Sequence, residues 1–313
     1  MIGLPALYAL AGLVFGGWAL ATLLDRQHMK RLLGAAFWGL LAAEFLGGDV
    51  LGDVGNGVLL LALVALALLG APGKGQPATT AVPERAASAA QHGNRLFLPA
   101  LIMPGVALAG TFLFPLLPGL VDPRQVTLVS LGLGAIIAAA VLMLWLRPPA
   151  AAPVQEGRRL AEGVGWAMIL PQLLASLGAL FTVAGVGEIV GALAPLAIPE
   201  GSRLAAVLAF TGGMAIFTIM MGNAFAAFPV MMGGIGLPVL VLGLGGDPVV
   251  VGAVGMLAGF CGTLLSPMAA NFNIVPAALL NLPDRYAVIR AQWPTAVILW
   301  VFNTAMIWGF AFR

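Results

Sequence analysis

The feature that most constrains this chain is a long run without charge. No Asp, Glu, Lys or Arg lies between Arg203 and Asp247. A membrane-spanning helix needs about 20 mainly apolar residues, so this run alone is long enough for two crossings. The whole chain has 61% hydrophobic and only 8% charged residues, with a mean hydropathy of +1.05. A soluble domain carries about 25% charged residues. The sequence therefore predicts an all-α polytopic membrane protein.

The first half of the chain predicts five simple spans, at residues 3–24, 32–48, 54–71, 97–117 and 125–146. The loops after the first, third and fifth spans each carry three basic residues, whereas the other two loops carry at most one. Basic loops stay in the cytoplasm. No Lys or Arg precedes the first apolar run, which argues against a cleaved signal peptide. We expect a multi-pass protein of the bacterial cytoplasmic (inner) membrane with its N-terminus outside.

Two loops, 72–96 and 147–158, are rich in Pro, Ala, Gly and Gln and show no apolar periodicity. Such composition is typical of flexible linkers. The sequence is therefore divided into an N-terminal five-span unit (1–147), a cytoplasmic linker (148–158) and a C-terminal transport unit (159–313). With the spans of that last unit, we expect about ten transmembrane segments. The net charge is only +2, so nucleic acid is not an expected partner.

The run 176–199 is apolar but is interrupted by glycines and by two prolines, and Glu188 lies at its centre. Two arms of about ten residues are each too short to cross a bilayer, which predicts a re-entrant hairpin with a break near Gly187. An acid within the membrane is costly and marks a functional site by default. We therefore place Glu188 and Thr182 among the binding residues. The alternative for Glu188 is an interfacial position at the mouth of the hairpin.

The stretch "MGNAFAAFP" (221–229) places Gly222, Asn223, Ala224 and Pro229 inside the uncharged run. Broken helices in secondary transporters use small residues, an amide and a proline to present ligands near the midplane of the membrane. The motif therefore predicts a helix break at 222–224 that binds substrate or ion. The alternative is an ordinary tight turn between two full spans, since Asn and Gly are favoured turn residues.

The stretch "GTLLSPMAANFN" (262–273) repeats this chemistry, and it predicts a second break near 263–273. Asn271 and Asn273 lie about 200° apart on a regular helix and cannot share one face. The alternative is hydrogen bonding between helices, which Ser, Thr and Asn commonly provide in bilayers. The predicted ligands are Thr263, Ser266, Asn271 and Asn273, with Pro267 at the break.

Other acidic residues suit less specific roles. Glu44 and Glu162 lie near span ends and are predicted to be interfacial, while Asp49 and Asp247 are predicted in solvated loops. Ser266 has no histidine or lysine within the apolar runs to act as a base, and no phosphate loop, CxxC or HExxH motif occurs. We therefore expect no enzyme activity, no cofactor and no metal site beyond a possible Na⁺ site.

The C-terminal unit resembles a known family. "VAGVGEIVGALAPL", "MGNAFAAFPVMMGGIGLP" and "GMLAGFCGTLLSPMAANFNIVPAALLNLPDRYAVIRAQWPTA" are similar to a subunit of bacterial two-subunit transporters for 5-oxoproline (pyroglutamate). That family resembles the ion-transporter superfamily and, within it, the gluconate permeases. The resemblance implies a glycine-rich hairpin at 176–199, a helix break at 222–224 and a third element at 262–273. Asn223 stands where gluconate permeases have Ser, and the acidic neighbour of their third-element Asn is missing.

Superfamily members pair two inverted repeats around one site, whereas this chain shows one good copy. The resemblance therefore implies a second, related membrane subunit. It implies secondary transport of a small carboxylate, by resemblance 5-oxoproline, driven by Na⁺ or H⁺. The alternative is a non-transporting accessory subunit that packs beside a permease, and this alternative predicts an ordinary turn at 222–224. An ion channel would need charged rings or repeated filter segments, and the sequence has neither.

Overall fold

The computed structural model describes residues 1–75, 80–199, 201–280 and 282–313. These residues are mainly helical and form no β-strand, apart from one isolated bridge between Ile2 and Val121. Nine helical runs in this part of the chain are long and apolar enough to cross a membrane. The all-α, multi-span fold class is thus confirmed. The chain forms two compact units, Met1–Gly165 and Trp166–Arg313.

The N-terminal unit contains α1 (Leu4–Leu24), α2 (Arg31–Leu68), α3 (Val82–His92), α4 (Leu98–Leu113), α5 (Val126–Leu146) and α6 (Ala152–Val164). Helix α2 is folded back on itself at Gly52, whose φ of 63° and ψ of −177° are not helical. A straight helix of 38 residues would be about 57 Å long. Instead, Lys30 Nζ donates a hydrogen bond to the Leu69 carbonyl at 2.7 Å.

The two arms of α2 are therefore antiparallel, as the predicted spans 32–48 and 54–71 require. Counted as two arms, α2 brings the nine runs to ten segments in the described part of the chain, about the number that the sequence predicts. This count includes the run Ala152–Val183, which the sequence did not predict as a span. Asn56 Nδ2 fastens the bend by donating to the Gly48 carbonyl at 2.9 Å.

The basic loops of the N-terminal unit lie at one end of it, and the other loops lie at the opposite end, as the charge pattern predicts. At one end, Arg158 Nη2 pairs with Asp25 Oδ2 at 2.8 Å, and Glu162 Oε2 accepts from the Gly75 amide at 2.8 Å. Those contacts join the loops that follow the first, third and fifth spans. At the other end, the Ile2 amide donates to the Leu120 carbonyl at 2.7 Å. The predicted alternation of the five spans, taken without its direction, is confirmed.

Helix α6 corrects the prediction of a flexible linker at 148–158. It begins at Ala152 and packs on α1, where Gly157 faces the indole of Trp18. Arg158 is 2% exposed and Glu162 is 3% exposed, so Glu162 lies at the end of the unit, as predicted, but is buried there between loops. The second predicted linker, 72–96, contains α3. The composition of 148–158 did not predict a packed helix, because two of the three residues that α6 buries, Arg158 and Glu162, are charged.

The C-terminal unit contains α7 (Leu170–Val183), α8 (Val186–Ala197), α9 (Arg203–Met221), α10 (Ala224–Met231), α11 (Pro248–Leu265), α12 (Val275–Leu279) and α13 (Ala287–Phe310). Helix α10 continues as a π-helix, Met232–Gly243. This segment is antiparallel to α9, since Gly213 faces Met231 and Phe210 faces Gly236. Helix α11 lies beside α9, and the core between them contains the fully buried Phe210 and Met214.

Helices α7 and α8 meet at Gly185, whose φ of 69° is left-handed, so the break predicted near Gly187 within 176–199 is present. The first arm differs from the prediction, because α7 begins at Leu170 and continues the helical run Ala152–Val183. A Cβ at Gly178 would lie 2.7 Å from Ala226 Cα, whereas one at Gly191 would lie 3.1 Å from the Gly234 carbonyl oxygen. The arms therefore contact successive levels of the segment 224–243. Both helices thus advance in the same direction along that segment, whereas the arms of the predicted re-entrant hairpin would turn back on each other.

Candidate binding site

The predicted helix break at 222–224 is a tight turn in the structure. Helix α9 has 19 residues and the segment Ala224–Gly243 has 20, so each is long enough to cross a membrane alone. Gly222 adopts a left-handed φ of 71°, and Asn223 is extended. Asn223 Oδ1 accepts a hydrogen bond from the Phe225 amide at 2.8 Å, as an N-cap does. The mid-membrane break is thus corrected to the turn that was its alternative.

The second predicted break also lies at a helix end. Helix α11 has 18 residues, enough to cross a membrane, and ends at Leu265. Ser266 is extended and caps it, and the short helical segments Ala270–Ile274 and Val275–Leu279 follow. The break near 263–273 is therefore present, but it follows a complete span instead of dividing one.

The turn and the end of α11 contact each other. Ser266 Oγ donates to the Ile219 carbonyl at 2.7 Å, near the C-terminus of α9, and accepts from the Met268 amide at 3.1 Å. A Cβ at Gly222 would lie 2.7 Å from the Met268 carbonyl carbon, so the backbones approach as closely as glycine allows. The motifs 221–229 and 262–273 are therefore adjacent in the structure.

Asn273 closes the end of α11. Its Nδ2 donates to the carbonyls of Ser266 at 2.7 Å, Thr263 at 3.2 Å and Leu264 at 3.4 Å. The last carbonyls of a helix have no partner within it, and in an apolar surrounding they must find one. Asn273 is 1% exposed and Ser266 is fully buried. Both predicted ligands are therefore buried, and both hydrogen-bond to the ends of neighbouring helices.

Gln292, on α13, completes this arrangement, and sequence reasoning missed it. Its Nε2 donates to Asn273 Oδ1 at 2.5 Å and to the Leu264 carbonyl at 3.1 Å. We call Ser266, Asn273 and Gln292 the amide cluster. The available signal was an amide near the start of the last apolar span.

The remaining predicted residues of this region divide by burial. Thr263 is 3% exposed, and its hydroxyl donates to the Gly259 carbonyl at 3.4 Å. Ala224 is fully buried. Asn271 is exposed, two residues from the buried Asn273, so the two amides do not share a face, as predicted. Pro229 and Pro267 are exposed too, and Pro229 lies within α10 instead of breaking it.

Glu188 and Thr182 do not join the amide cluster. Both are exposed, Glu188 in the first turn of α8 and Thr182 on α7, where its hydroxyl donates to the Gly178 carbonyl at 3.1 Å. Gly187 approaches the segment 224–243, because a Cβ there would lie 3.2 Å from the Val230 carbonyl oxygen. Within the described residues, no hydrogen bond or ion pair links Glu188 to the other predicted ligands.

A second polar cluster lies in the N-terminal unit, and the sequence did not predict it. The Arg158 guanidinium lies between Asp25 and Glu162, at 2.8 and 3.5 Å. His28 Nδ1 accepts from the Lys30 amide at 3.1 Å, so the ring proton is on Nε2, which faces Glu162 Oε1 at 3.5 Å. We call Asp25, His28, Arg158 and Glu162 the ionic cluster.

The environment of Asp25 favours its charged form. Burial by itself raises the pKa of this carboxyl, but the hydrogen bonds from the Gln27 amide and the Arg158 guanidinium outweigh burial. The net effect is a pKa below the ordinary value of 3.8. Among the described residues, no group of three or more His, Cys, Asp or Glu side chains could hold a metal ion. The ionic cluster joins the loops of the N-terminal unit through the pair of Arg158 with Asp25 and the hydrogen bond from the Gly75 amide to Glu162.

Comparison with known proteins gives a family. Residues 5–312 match the family model DUF979, described as a protein of unknown function. The chain belongs to the DUF979 family. No curated protein and no solved structure matches this DUF979 chain.

The oxygens of the DUF979 chain's amide cluster limit what could bind there. Amide donors already occupy the carbonyls of Thr263, Leu264 and Ser266. A Na⁺ ion at this helix end would have to displace the Asn273 amide. The hydroxyl of Thr218 is fully buried and makes no hydrogen bond to any described residue. This hydroxyl could take a new hydrogen-bond partner without losing an existing one.

Proposed function

We propose that this chain is a subunit of a secondary active transporter for a small carboxylate, by resemblance 5-oxoproline. The observation that carries the proposal is the buried amide cluster at the interrupted end of α11. Helical backbone is interrupted in a membrane only where protein or a water-filled cavity surrounds it. Secondary transporters build their binding sites from such interruptions. Their coupling ion is Na⁺ or H⁺, and one of these is the expected ion here.

The substrate class is supported by the donors at the turn. Asn223 Nδ2 makes no hydrogen bond within the described residues, and the side chain is half-buried. The first amides of α10 lie beside it and carry the partial positive charge of a helix N-terminus. Carboxylates are favoured ligands of such a group of donors. We therefore propose a site at the span ends, where Gly222 lies against Met268 and Ser266 bonds to the Ile219 carbonyl, instead of at the membrane midplane.

A second, related membrane subunit is the proposed partner, because the resemblance implies two repeats and this chain shows one. The proposed setting is the bacterial cytoplasmic (inner) membrane, with the N-terminus outside. The basic loops of the N-terminal unit lie at one end, which the positive-inside rule places in the cytoplasm. No catalytic role, cofactor or nucleic-acid partner forms part of the proposal.

The test is uptake of labelled 5-oxoproline by cells that express this chain together with its genomic neighbour. We expect Asn273→Ala to lower uptake about tenfold or more, since an unsatisfied buried polar group costs about 1–3 kcal/mol. Asn271→Ala is the matched control, because Asn271 is exposed two residues away. It should leave uptake unchanged. Membrane expression and monodispersity of each variant exclude simple misfolding.

Uptake that survives Asn273→Ala in well-expressed protein would remove the amide cluster from the site. Uptake by this chain alone would contradict the two-subunit proposal. No uptake of 5-oxoproline by the pair would contradict the proposed substrate.

The accessory-subunit alternative is favoured by one observation, the tight turn at Gly222 and Asn223. It predicts that Asn223 is reached from one side of the membrane only. A cysteine at position 223 should then react with an impermeant maleimide from one side, with or without substrate. Access that changes with substrate would favour the transport subunit instead.

A further inference from the structure

Glu188 lies within the depth of the membrane. The preceding residue, Gly187, faces the Val230 carbonyl, and Gly191 faces the Gly234 carbonyl. Val230 is seven residues beyond the turn at Asn223, which places it about 10 Å below that end of the bundle. The segment 224–243 spans the membrane by length and composition. The carboxyl of Glu188 is thus held at a level where the surroundings of the chain are apolar.

Among the described residues of the C-terminal unit, no charged side chain pairs with Glu188. Helix α8 packs on α7, α9, α10 and the π-helix. The described residues of these elements contain one titratable side chain, Arg203, at the far end of α9. The Arg203 guanidinium lies over the Phe312 ring, 5.4 Å from its centroid. Glu200 lies outside the described residues. The Glu188 carboxylate makes no hydrogen bond or ion pair with any described residue, whereas its backbone amide donates to the Gly185 carbonyl at 3.0 Å.

The exposed face of α8 is otherwise apolar. Ile189, Leu193 and Leu196 are 59%, 56% and 84% exposed. Glu188 Oε2 lies above the break, 3.6 Å from the position of a Cβ on Gly185. Glu188 is therefore a single carboxylate on an apolar surface at membrane depth, with no counter-charge among the described residues.

Protonation of Glu188 removes the unfavourable free energy of an unpaired charge within the membrane. An ionised acid at the centre of a membrane helix costs about 2.5–3.5 kcal/mol on insertion scales. The α8 N-terminus favours the charged form by only about 0.3–1 kcal/mol. Cations need several oxygen ligands, and no other carboxylate lies on α8. We propose that Glu188 is a reversible proton-binding site on the membrane-facing surface of α8.

The step is a simple proton transfer. A hydronium ion gives its proton to the carboxylate, so one O–H bond breaks on hydronium, which becomes water, and one O–H bond forms on Glu188. The reverse transfer to water restores hydronium and the carboxylate when water reaches α8 again. In the proposed transporter this site would make H⁺ the coupling ion, and that role rests on the proposed function. The proton site itself does not depend on transport.

A carbodiimide tests the proton site directly, because dicyclohexylcarbodiimide modifies protonated carboxyls in apolar surroundings. The full chain in lipid vesicles is treated at a series of pH values, and peptides are analysed by mass spectrometry. We expect modification of Glu188 that decreases as pH rises, is lost in Glu188→Gln and is kept in Glu188→Asp. Asp247 and Asp284 are internal controls at helix ends. The first accepts from the Val249 amide, and the second pairs with Arg290.

Absence of modification at Glu188 at every pH, in protein shown to be folded, would overturn the proposal. It would mean that another chain covers the carboxylate or pairs it with a basic group. Modification that does not change with pH would overturn it too. If Glu188 is modified as expected but the pair of subunits takes up no substrate, the proton site stands and the proposed function fails. If uptake occurs and stays proton-driven in Glu188→Gln, the coupling role fails and the proposed function stands.

Discussion

Arg158 is a charged side chain that the structure buries almost completely, at 2% exposure, between two carboxylates. Removing one member of a buried ion pair leaves the others without compensation and costs about 3–5 kcal/mol. We therefore expect Arg158→Ala to lower the free energy of unfolding by about that amount. Thermal unfolding of the purified protein in detergent is the measurement.

The neighbouring Arg159 provides the matched control. Its side chain is 39% exposed and pairs with Glu156 at 2.7 Å. Exposed pairs contribute about 0–1 kcal/mol, so Arg159→Ala should leave the unfolding temperature almost unchanged. Equal effects of the two substitutions would mean that the ionic cluster does not stabilise the unit.

Individual polar residues can be identified from the sequence, but their contact partners cannot. Ser266 and Asn273 were predicted as functional polar groups because amides and hydroxyls are rare within uncharged runs. The pair between Arg158 and Asp25 joins residues 133 positions apart, and no local pattern indicates that distance. Gln292 was missed for the same reason, since its partner Asn273 lies on another element.

At the scale of elements, the turn between α9 and α10 depends on Gly222. A left-handed conformation costs a residue with a Cβ about 1–2 kcal/mol. A Cβ here would also lie 2.7 Å from backbone atoms of Met268. We expect Gly222→Ala to destabilise the protein by about 2 kcal/mol or more and to loosen the end of α11. Unfolding temperature and proteolysis near residue 268 are the measurements.

Gly212, on the same helix α9, is the control for this prediction. A Cβ there would meet only the Trp300 side chain, at an ordinary 3.9 Å. Replacing a helical glycine by alanine stabilises a helix by about 0.5–1 kcal/mol. A Gly222→Ala variant as stable as Gly212→Ala would show that the turn does not require glycine.

The lengths of the flanking helices explain why both helix breaks lie at span ends and not near the membrane midplane. The sequence marks a helix interruption by Gly, Asn, Ser and Pro, and it marked both interruptions correctly along the chain. Whether an interruption lies at the midplane or at a span end depends on how many residues on each side are helical. Three helical segments of 18–20 residues flank the two interruptions, so both lie at span ends.

At the scale of the whole molecule, the orientation of the N-terminal unit can be measured with single cysteines. Met29 is 91% exposed in a basic loop, whereas Arg124 is exposed near the opposite end. The native Cys261 is buried at 3% exposure and gives little background. We expect an impermeant maleimide to label Arg124→Cys in intact cells, and Met29→Cys only after permeabilisation. The opposite pattern would place the N-terminus in the cytoplasm.

The sequence by itself determined the class of protein, the positions of the five N-terminal spans and the alternation of the N-terminal loops. These properties follow from hydropathy and charge, which act on each segment separately because the bilayer is the common solvent. The tertiary structure decided which polar groups meet. It buried Arg158 and Asn273, left Glu188 exposed and placed the turn at Gly222 against Met268. Those outcomes depend on packing between elements distant in sequence, which no single segment encodes.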